Sequence, residues 1–459
     1  MTTRSASRFA APILAMMGWI TCGRTPFTAA TGTSGFTEPG RDASATPVKD
    51  GVTSQPVGQE GCPDGFTACG SGAAIRCYDL TRSSDHCGSC ANVCAPGIAC
   101  QASACQQYRC KGTLSYKALA LVCPKCAGDH TPALGDFNGD GIWDFVGPTG
   151  FNGEMGILLG KGDGTFRSYP VVTSYASPWH AVAADLNGDG WLDLVTVASG
   201  DPAISVRLGN GDASTHFAPA TTYAASSPVL GLLLADLDND GHPELVASQD
   251  QQLTVWRGSV DGKLGGPVDM PVGAAGNFLA STDWNRDGTP DLLYGGPTLR
   301  MMLGHGDGTF DQDMACGISL ADNQPFPNLH GTALADFDHD QLVDLVAGSK
   351  VVLLGMDGCN FRTLVNLPGY VAGSSGSVAV ADLNGDGHAD ILSAFFVVDR
   401  KLQVILGDGQ GGFASSTVLS DAEVNKDAVF LAGDFNQDKK LDILATSTSG
   451  WRVFLNTCP

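Results

Sequence analysis

Positive charge is what this chain has least of: 26 Lys and Arg stand against 48 Asp and Glu, a net charge of −22 over 459 residues. Such a balance excludes nucleic acid as the natural partner, since a phosphate backbone is bound by clustered basic side chains. Also missing are the motifs of common hydrolases: there is no Gly-x-Ser-x-Gly and no His-Glu-x-x-His. The histidines are scattered, and no carboxylates stand paired outside the repeated loops described below. The sequence therefore reads as non-catalytic. Nor does the apolar run Phe9–Ile20, at 12 residues, reach the length that spans a bilayer.

What the chain has in quantity is glycine, cysteine and repetition. Its 60 glycines and 43% hydrophobic residues suit many short strands joined by tight turns. The stretch Asp136-Phe-Asn138-Gly-Asp140-Gly141-Ile-Trp-Asp144 recurs six more times, starting at Asp185, Asp236, Asp283, Asp336, Asp382 and Asp434. The intervals run from 46 to 53 residues, a period that marks a propeller or a solenoid.

Each copy places oxygen side chains at positions 1, 3, 5 and 9, as in Asp136, Asn138, Asp140 and Asp144. Alternating carboxylate and carboxamide oxygens, with a glycine at position 6 for the sharp turn, are what a hard cation such as Ca²⁺ requires. The first half resembles an EF-hand loop, but position 12 is never Glu; it is Gly147 in the first copy. The flanking runs, such as Ala-Val-Ala-Ala before and Leu-Val-Thr-Val-Ala after, are short and rich in β-branched residues. They are strands, too short for EF-hand helices. One such loop would read as a solvated turn; seven at matched spacing read as calcium loops. The loops hold 23 of the 48 acidic residues, so seven bound Ca²⁺ would bring the net charge to −8. The acidity is a metal-site signature.

Loops one, two, four and six match throughout, the last three as Asp185, Asn187, Asp189 and Asp193, as Asp283, Asn285, Asp287 and Asp291, and as Asp382, Asn384, Asp386 and Asp390. Loop three has Asp236, Asp238, Asp240 and Glu244. Loop five (Asp336, Asp338, Asp340, Asp344) puts Gln341 in the glycine position, and loop seven (Asp434, Asn436, Asp438, Asp442) puts Lys439 there, followed by Lys440. Loops five and seven are expected to bind more weakly, with lysine standing in for the ion in loop seven.

Taken in order, residues 1–22 read as an export signal, with Arg4 and Arg8 ahead of the apolar run. Its end at Cys22 resembles a bacterial lipoprotein signal, although Trp19-Ile20-Thr21 departs from the usual small residues. Two readings stay open: Cys22 is acylated and anchors the chain to a membrane, or it is removed with the signal. Either leaves 14 of the 15 cysteines, an even number that suits disulfides in an oxidising compartment. Residues 23–60, rich in Thr, Ser, Ala, Gly and Pro, form a flexible tether. Residues 61–110 hold nine cysteines and too few apolar side chains for a core, so this module must be stapled. Cys87/Cys90 and Cys123/Cys126 have zinc-ribbon spacing, but export favours disulfides. The segment Asp85–Cys94 resembles short cysteine-rich modules near the start of bacterial surface proteins.

A second signature follows several loops: Ile157-Leu-Leu-Gly-Lys-Gly-Asp-Gly-Thr-Phe166, with relatives ending at Phe310 and Phe413. Each unit is thus strand A, acidic loop, strand B, strand C, Gly-Asp turn, strand D: a four-stranded propeller blade. Together the two signatures resemble the FG-GAP/VCBS repeat family, which includes the seven-bladed heads of integrin α-chains, over about residues 112–456. The resemblance implies an all-β, calcium-stabilised propeller of residues 111–459, used for adhesion or ligand recognition outside the cell. Some fungal lectins have a similar propeller. The last copy ends at Asn456 with no strand D, so the strand-like segment Gly112–Val122 is expected to complete blade seven. Cys458 would then lie near Cys110 or the Cys123/Cys126 pair. Cys316 and Cys359 are the expected remaining disulfide.

The D–A and B–C loops, opposite the acidic loops, vary in length and content as recognition loops do. Trp179, Phe326 and Tyr370 are the candidate ligand contacts there. The reading is an exported, monomeric, surface-tethered propeller, in the bacterial envelope (an outer-membrane lipoprotein if Cys22 is acylated) or outside the cell. It binds a glycan or a protein, with up to seven Ca²⁺ as structural ions. The alternative is a secreted or surface-bound hydrolase or lyase with its site on the D–A/B–C face, and a third is a purely structural envelope component.

Overall fold

The computed structural model describes four short strands within residues 67–106 and the following segments: 109–110, 113–123, 132–148, 155–171, 178–198, 200–211, 217–273, 279–295, 298–311, 313–319, 332–347, 351–356, 359–367, 378–395, 401–419, 429–447 and 450–459. The expected export signal, Cys22 and the tether lie outside the described residues. The chain divides into two compact units, one of Ile20–Tyr108 and the other of Met1–Trp19 with Arg109–Pro459. In the first, two antiparallel hairpins are described, Thr67–Cys69 with Arg76–Tyr78 and Ala99–Gln101 with Ala104–Gln106.

The second unit is a seven-bladed β-propeller, with no helix among its described residues. Blade one is Ala133–Gly135, Asp144–Pro148, Met155–Gly160 and Phe166–Val171, four antiparallel strands in sequence order. Blades two, three, four and six repeat it, starting at Pro178–Ala184, Gly231–Ala235, Leu279–Thr282 and Val378–Ala381. The second strands, such as Asp193–Ala198 and Glu244–Gln249, are buried along their whole length. Neighbouring blades cover both faces of such a strand, so its sequence is a continuous apolar run instead of an alternation. The fourth strands, such as Pro267–Pro271, are the exposed rim.

The core lies between blades. Leu186, Val195, Ile204, Leu245 and Trp256 form one cluster across blades two and three, and Leu237, Val246, Leu292 and Tyr294 another across three and four. Phe145 and Trp451, both fully buried with ring centroids 5.8 Å apart, join blade one to blade seven. Burying a side chain of this size contributes about 1.5–3 kcal/mol, so the ring is held shut by the same packing that joins its other blades.

Blade seven closes the circle as its missing strand requires. Phe430–Gly433, Asp442–Ser447 and Gly450–Asn456 come from the end of the chain, and Tyr116–Cys123 adds the outer strand from its start. Cys110 and Cys458 form a disulfide beside this junction. Blade five departs from the four-stranded plan. Its strands Thr332–Ala335, Asp344–Ala347, Val351–Met356 and Asn360–Asn366 gain a fifth, Gly317–Ser319, which pairs in parallel with the outermost. That strand leaves blade four at Cys316, and the Cys316–Cys359 disulfide pins it to blade five. Among the described residues no helix is long and apolar enough to cross a membrane.

Candidate metal centre

Each acidic loop joins the first strand of a blade to the second, and all seven fold on one plan. In loop one the Asp136 carboxylate accepts the Asp140 and Gly141 amides at 3.1 and 2.7 Å, Asn138 Oδ1 accepts the Asp140 amide at 2.9 Å, and Asp140 Oδ1 accepts the Ile142 amide at 2.9 Å. In loop two the Asp189 amide donates to Asp185 at 3.1 Å and to Asn187 Oδ1 at 3.0 Å. In loop four the Asp287 amide donates to Asp283 at 3.0 Å and to Asn285 Oδ1 at 2.9 Å. In loop six the Asp386 amide donates to Asp382 at 3.0 Å and to Asn384 Oδ1 at 2.8 Å, and in loop seven the Asp438 amide donates to Asp434 at 3.0 Å and to Asn436 Oδ1 at 2.9 Å. Positions 1, 3 and 5 thus turn their oxygens inward onto the loop's own backbone. Gly141 takes φ 76° at position 6, as the sharp turn demands. Gln341 and Lys439 adopt φ 68° and 70° at the same position, a left-handed conformation that ordinarily favours glycine.

The ninth-position acid has a second role. Asp144 is fully buried; its Oδ2 accepts the Phe137 amide at 3.0 Å and its Oδ1 the Gly160 amide at 2.8 Å. Asp193, Glu244, Asp291, Asp344, Asp390 and Asp442 repeat the pair of bonds, one to position 2 and one to the end of strand C. The carboxylate therefore ties the loop to the third strand. It also explains the glycine that ends the second signature's strand. A Cβ on Gly160 would sit 2.3 Å from the Trp143 carbonyl, and one on Gly304 2.1 Å from the Pro290 carbonyl. Only a bare backbone approaches that closely. In blade seven Asn456 takes the place, and its side-chain amide donates to the Leu383 and Leu441 carbonyls.

Burial pushes the ninth-position acids up, against the two amides that favour the ionised form: Asp144, Asp344 and Asp442 to about 7, Asp193 to about 6 and Asp390 to about 8. Glu244 and Asp291 are raised for the same reason. Burial also raises Asp136, Asp382 and Asp434 at position 1. Seven sets of partly buried acids, each crowding the next, are short of positive charge.

Position 3 divides the loops. In loops one, two, four and six, where it is Asn, the side-chain amide donates to the position-5 carboxylate: Asn138 to Asp140 at 3.1 Å, Asn187 to Asp189 at 2.9 Å, Asn285 to Asp287 at 2.7 Å and Asn384 to Asp386 at 3.0 Å. These residues, counted as metal ligands in the sequence, are thus also hydrogen-bonded to one another. The donor is the carboxamide N–H; the Asn carbonyl oxygen and the other carboxylate lone pairs are separate acceptors. Asn384 is also nearly buried, at 8% exposure.

Where position 3 is Asp, no such donor exists. Loops three and five each draw three carboxylate oxygens within 4.8 Å of one another, from Asp236, Asp238 and Glu244 and from Asp336, Asp338 and Asp340. Each also holds a buried oxygen, Asp238 Oδ1 or Asp336 Oδ1, with no hydrogen-bond partner among the described residues. Converging oxygens with orphaned lone pairs fit a hard cation. The gathered acids thus lie in the two loops that depart from the Asn pattern, and loop five, expected to bind weakly because of Gln341, is one of them. Fixed cations stand nearby: Arg257 is 3.8 Å from Asp238, Arg362 offsets the burial-driven rise of Asp338, and Lys440 is 3.9 Å from Asp438 in loop seven.

The loops also touch around the ring, which the repeat pattern does not reveal. Position 4 of one loop faces position 5 or 7, or the Gly-Asp turn, of the next blade. Gly139 lies against Trp191, Gln437 against Gly162, and Arg286 donates to the Asp340 carbonyl at 3.3 Å. His339 and His388 meet in the same way. Of the candidate ligand contacts, Phe326 and Tyr370 lie outside the described residues. Trp179 belongs to a described strand, but its side chain does not.

A family profile described as FG-GAP-like repeat matches residues 136–196, 185–247, 236–294 and 336–393. No curated protein sequence matches the chain. Among solved structures, a lectin from Burkholderia pseudomallei aligns with TM-score 0.53 and 16% identity, over 74% of this chain and 97% of that one. A lectin of Agrocybe aegerita that recognises non-reducing terminal N-acetylglucosamine aligns with TM-score 0.50 and 20% identity, over 74% and 87%. BBS1N, crystallised in complex with ARL6DN, aligns with TM-score 0.52 and 12% identity, over 76% and 98%. At these identities the likeness is one of fold.

Proposed function

Because the chain carries FG-GAP-like repeats and winds them into a seven-bladed β-propeller, we propose that it is a calcium-stabilised recognition module, non-catalytic, acting outside the cell or in the cell envelope. The observation that carries this reading is the use to which the acidic loops put their oxygens. They turn inward onto their own amides and onto the neighbouring strand, so an ion there braces the scaffold. Ca²⁺ would be held by positions 1, 3, 5 and 9 of each loop, with Asp238 Oδ1 and Asp336 Oδ1 as waiting ligands in loops three and five. Recognition then falls to the D–A and B–C loops on the opposite face. Two of the aligned structures are lectins, which favours a glycan; BBS1N, solved with a protein bound, keeps a protein ligand in view. The disulfides at Cys110–Cys458 and Cys316–Cys359 suit an oxidising compartment.

The test is glycan-array binding by the purified full chain, in Ca²⁺ and again in chelator. A saturable hit that disappears together with the folded state in chelator supports the reading. A folded, calcium-loaded chain that binds neither the array nor any protein from envelope extracts would overturn it.

A further inference from the structure

Two histidines from different blades meet on the acidic-loop face. His339 is the fourth residue of loop five and His388 the seventh of loop six, and they are 49 residues apart in sequence. His339 Nε2 and His388 Nδ1 are 2.8 Å apart, with ring centroids at 5.1 Å and planes inclined by 58°. Both residues keep solvent access. The blade-six turn locks them in place: Gly409, at φ 68°, packs so closely that a Cβ there would lie 2.2 Å from His388 Nδ1 and 2.9 Å from His339 Cδ2. His339 itself holds φ 60°, a left-handed backbone that presents its ring to the next blade.

We propose that His339 and His388 form a binding site for a divalent first-row transition-metal ion, clamping blade five to blade six. Imidazole nitrogen is the ligand that Cu²⁺, Ni²⁺ and Zn²⁺ favour and that Ca²⁺ does not. Two nitrogens bound at right angles, each at ~2.05 Å, lie about 2.9 Å apart, and a tetrahedral pair about 3.3 Å. The observed 2.8 Å is closest to the right-angle pair, the arrangement of tetragonal Cu²⁺ or Ni²⁺. In the hydrogen-bonded pair one ring donates and the other accepts. To bind an ion, the bridging proton moves to the outer nitrogen of its own ring, and each ring tilts to bring its lone pair onto the metal. No net proton is released, and water fills the remaining positions. Asp338 and Asp340 on one loop and Asp386 on the other give the site a negative surround that attracts a cation. The site is chemically separate from the all-oxygen loops and does not depend on what fills them.

The experiment uses the full chain in saturating Ca²⁺, titrated with Ni²⁺ by calorimetry and with Cu²⁺ by electron paramagnetic resonance. The wild type should show a Cu²⁺ spectrum with two imidazole nitrogens. His339→Asn, chosen because Asn tolerates the left-handed backbone, and His388→Gln should each lose that signal. Changes one shell outside a metal cost 10–100-fold, so losing a ligand should weaken Ni²⁺ binding at least about tenfold. Melting in Ca²⁺ alone should stay unchanged. Equal Ni²⁺ affinity in the wild type and both variants would overturn the proposal. So would a wild-type Cu²⁺ spectrum without two coupled nitrogens, which can be read even if a variant fails to fold.

Discussion

The Cys110–Cys458 disulfide offers the sharpest quantitative test of the closed ring. The perturbation is the paired change Cys110→Ala and Cys458→Ala, compared with Cys316→Ala and Cys359→Ala in an otherwise identical chain. The first crosslink spans 348 residues and the second 43. Loop-closure entropy gives about 6 kcal/mol for the longer and about 4 kcal/mol for the shorter at room temperature. The comparison rests on the difference, about 2 kcal/mol, because three of the four cysteines are buried alike: Cys458 fully, and Cys316 and Cys359 at 8% and 5% exposure, with Cys110 half-buried. Mutation is preferable to a reductant, which cannot open one of the two bonds and leave the other. Urea unfolding in Ca²⁺, followed by Trp fluorescence, should place the Cys110/Cys458 variant at the lower midpoint, with the Cys316/Cys359 variant between it and the wild type. If the two variants unfold together, or the order is reversed, the bond does not close the ring in the way argued.

Further outcomes follow from the loops. Chelation should lower the melting temperature, with a loss of stability of about 2.7 kcal/mol for each ion held at a hundredfold excess over its dissociation constant, and unchanged melting would remove calcium from the account. The ion-free chain should also lose stability as pH rises from about 4 to about 8. Asp144, Asp344, Asp390 and Asp442 bind protons in the folded state that the unfolded chain has already released, and added Ca²⁺ should abolish or reverse that slope. Asp344→Asn should destabilise by about 2 kcal/mol or more even with Ca²⁺ present, since its amide would leave the Phe337 or Gly355 N–H without an acceptor; Asp140→Asn should act mainly through ion affinity. Finally, Gln341→Gly and Lys439→Gly should each stabilise by about 1 kcal/mol by relieving left-handed strain. Anomalous scattering from a crystal should show less metal in loop seven, where Lys440 stands beside Asp438, than in the other loops of the wild type.

Much of this architecture was legible because a propeller repeats. The 46–53-residue period, the two signatures and the bare edge left at Asn456 set the number of blades and the strand that completes the last one. The completing strand begins at Tyr116, four residues later than the apolar pattern of Gly112–Val122 suggests. Cys316–Cys359 could be paired, but the extra strand Gly317–Ser319 could not be foreseen, because three residues without periodicity carry no signal. The ninth-position acid was recognisable as an oxygen ligand. Its bond to strand C was not, since its partner is a backbone amide that any residue can offer. The asparagines at position 3 were legible only as oxygens; that Asn187 and Asn285 also donate to the next acid depends on the turn of a carboxamide, which spacing does not encode. The glycines at 160, 209, 258, 304, 355 and 407 were the available hint to the strand C contact, read only as turn formers when they also make room for a carbonyl. Contacts between loops of successive blades, including His339 with His388, depend on the rotation between sheets, which no linear pattern records.

Blade seven, built from both ends of the chain, changes how this molecule can come apart. A stack of repeats frays from its terminal units, which have one neighbour each. Here no blade is terminal, and the two ends of the propeller segment are bonded inside one sheet. The passage from blade four to blade five is held by the strand Gly317–Ser319, paired on blade five, and by a disulfide of its own. Opening must therefore begin in the middle of the circle, at a joint held by packing alone. A protease that cuts one exposed turn between Cys110 and Cys458 would not release a fragment, because the severed chain remains a single covalent piece. The propeller is a hoop that survives its first cut.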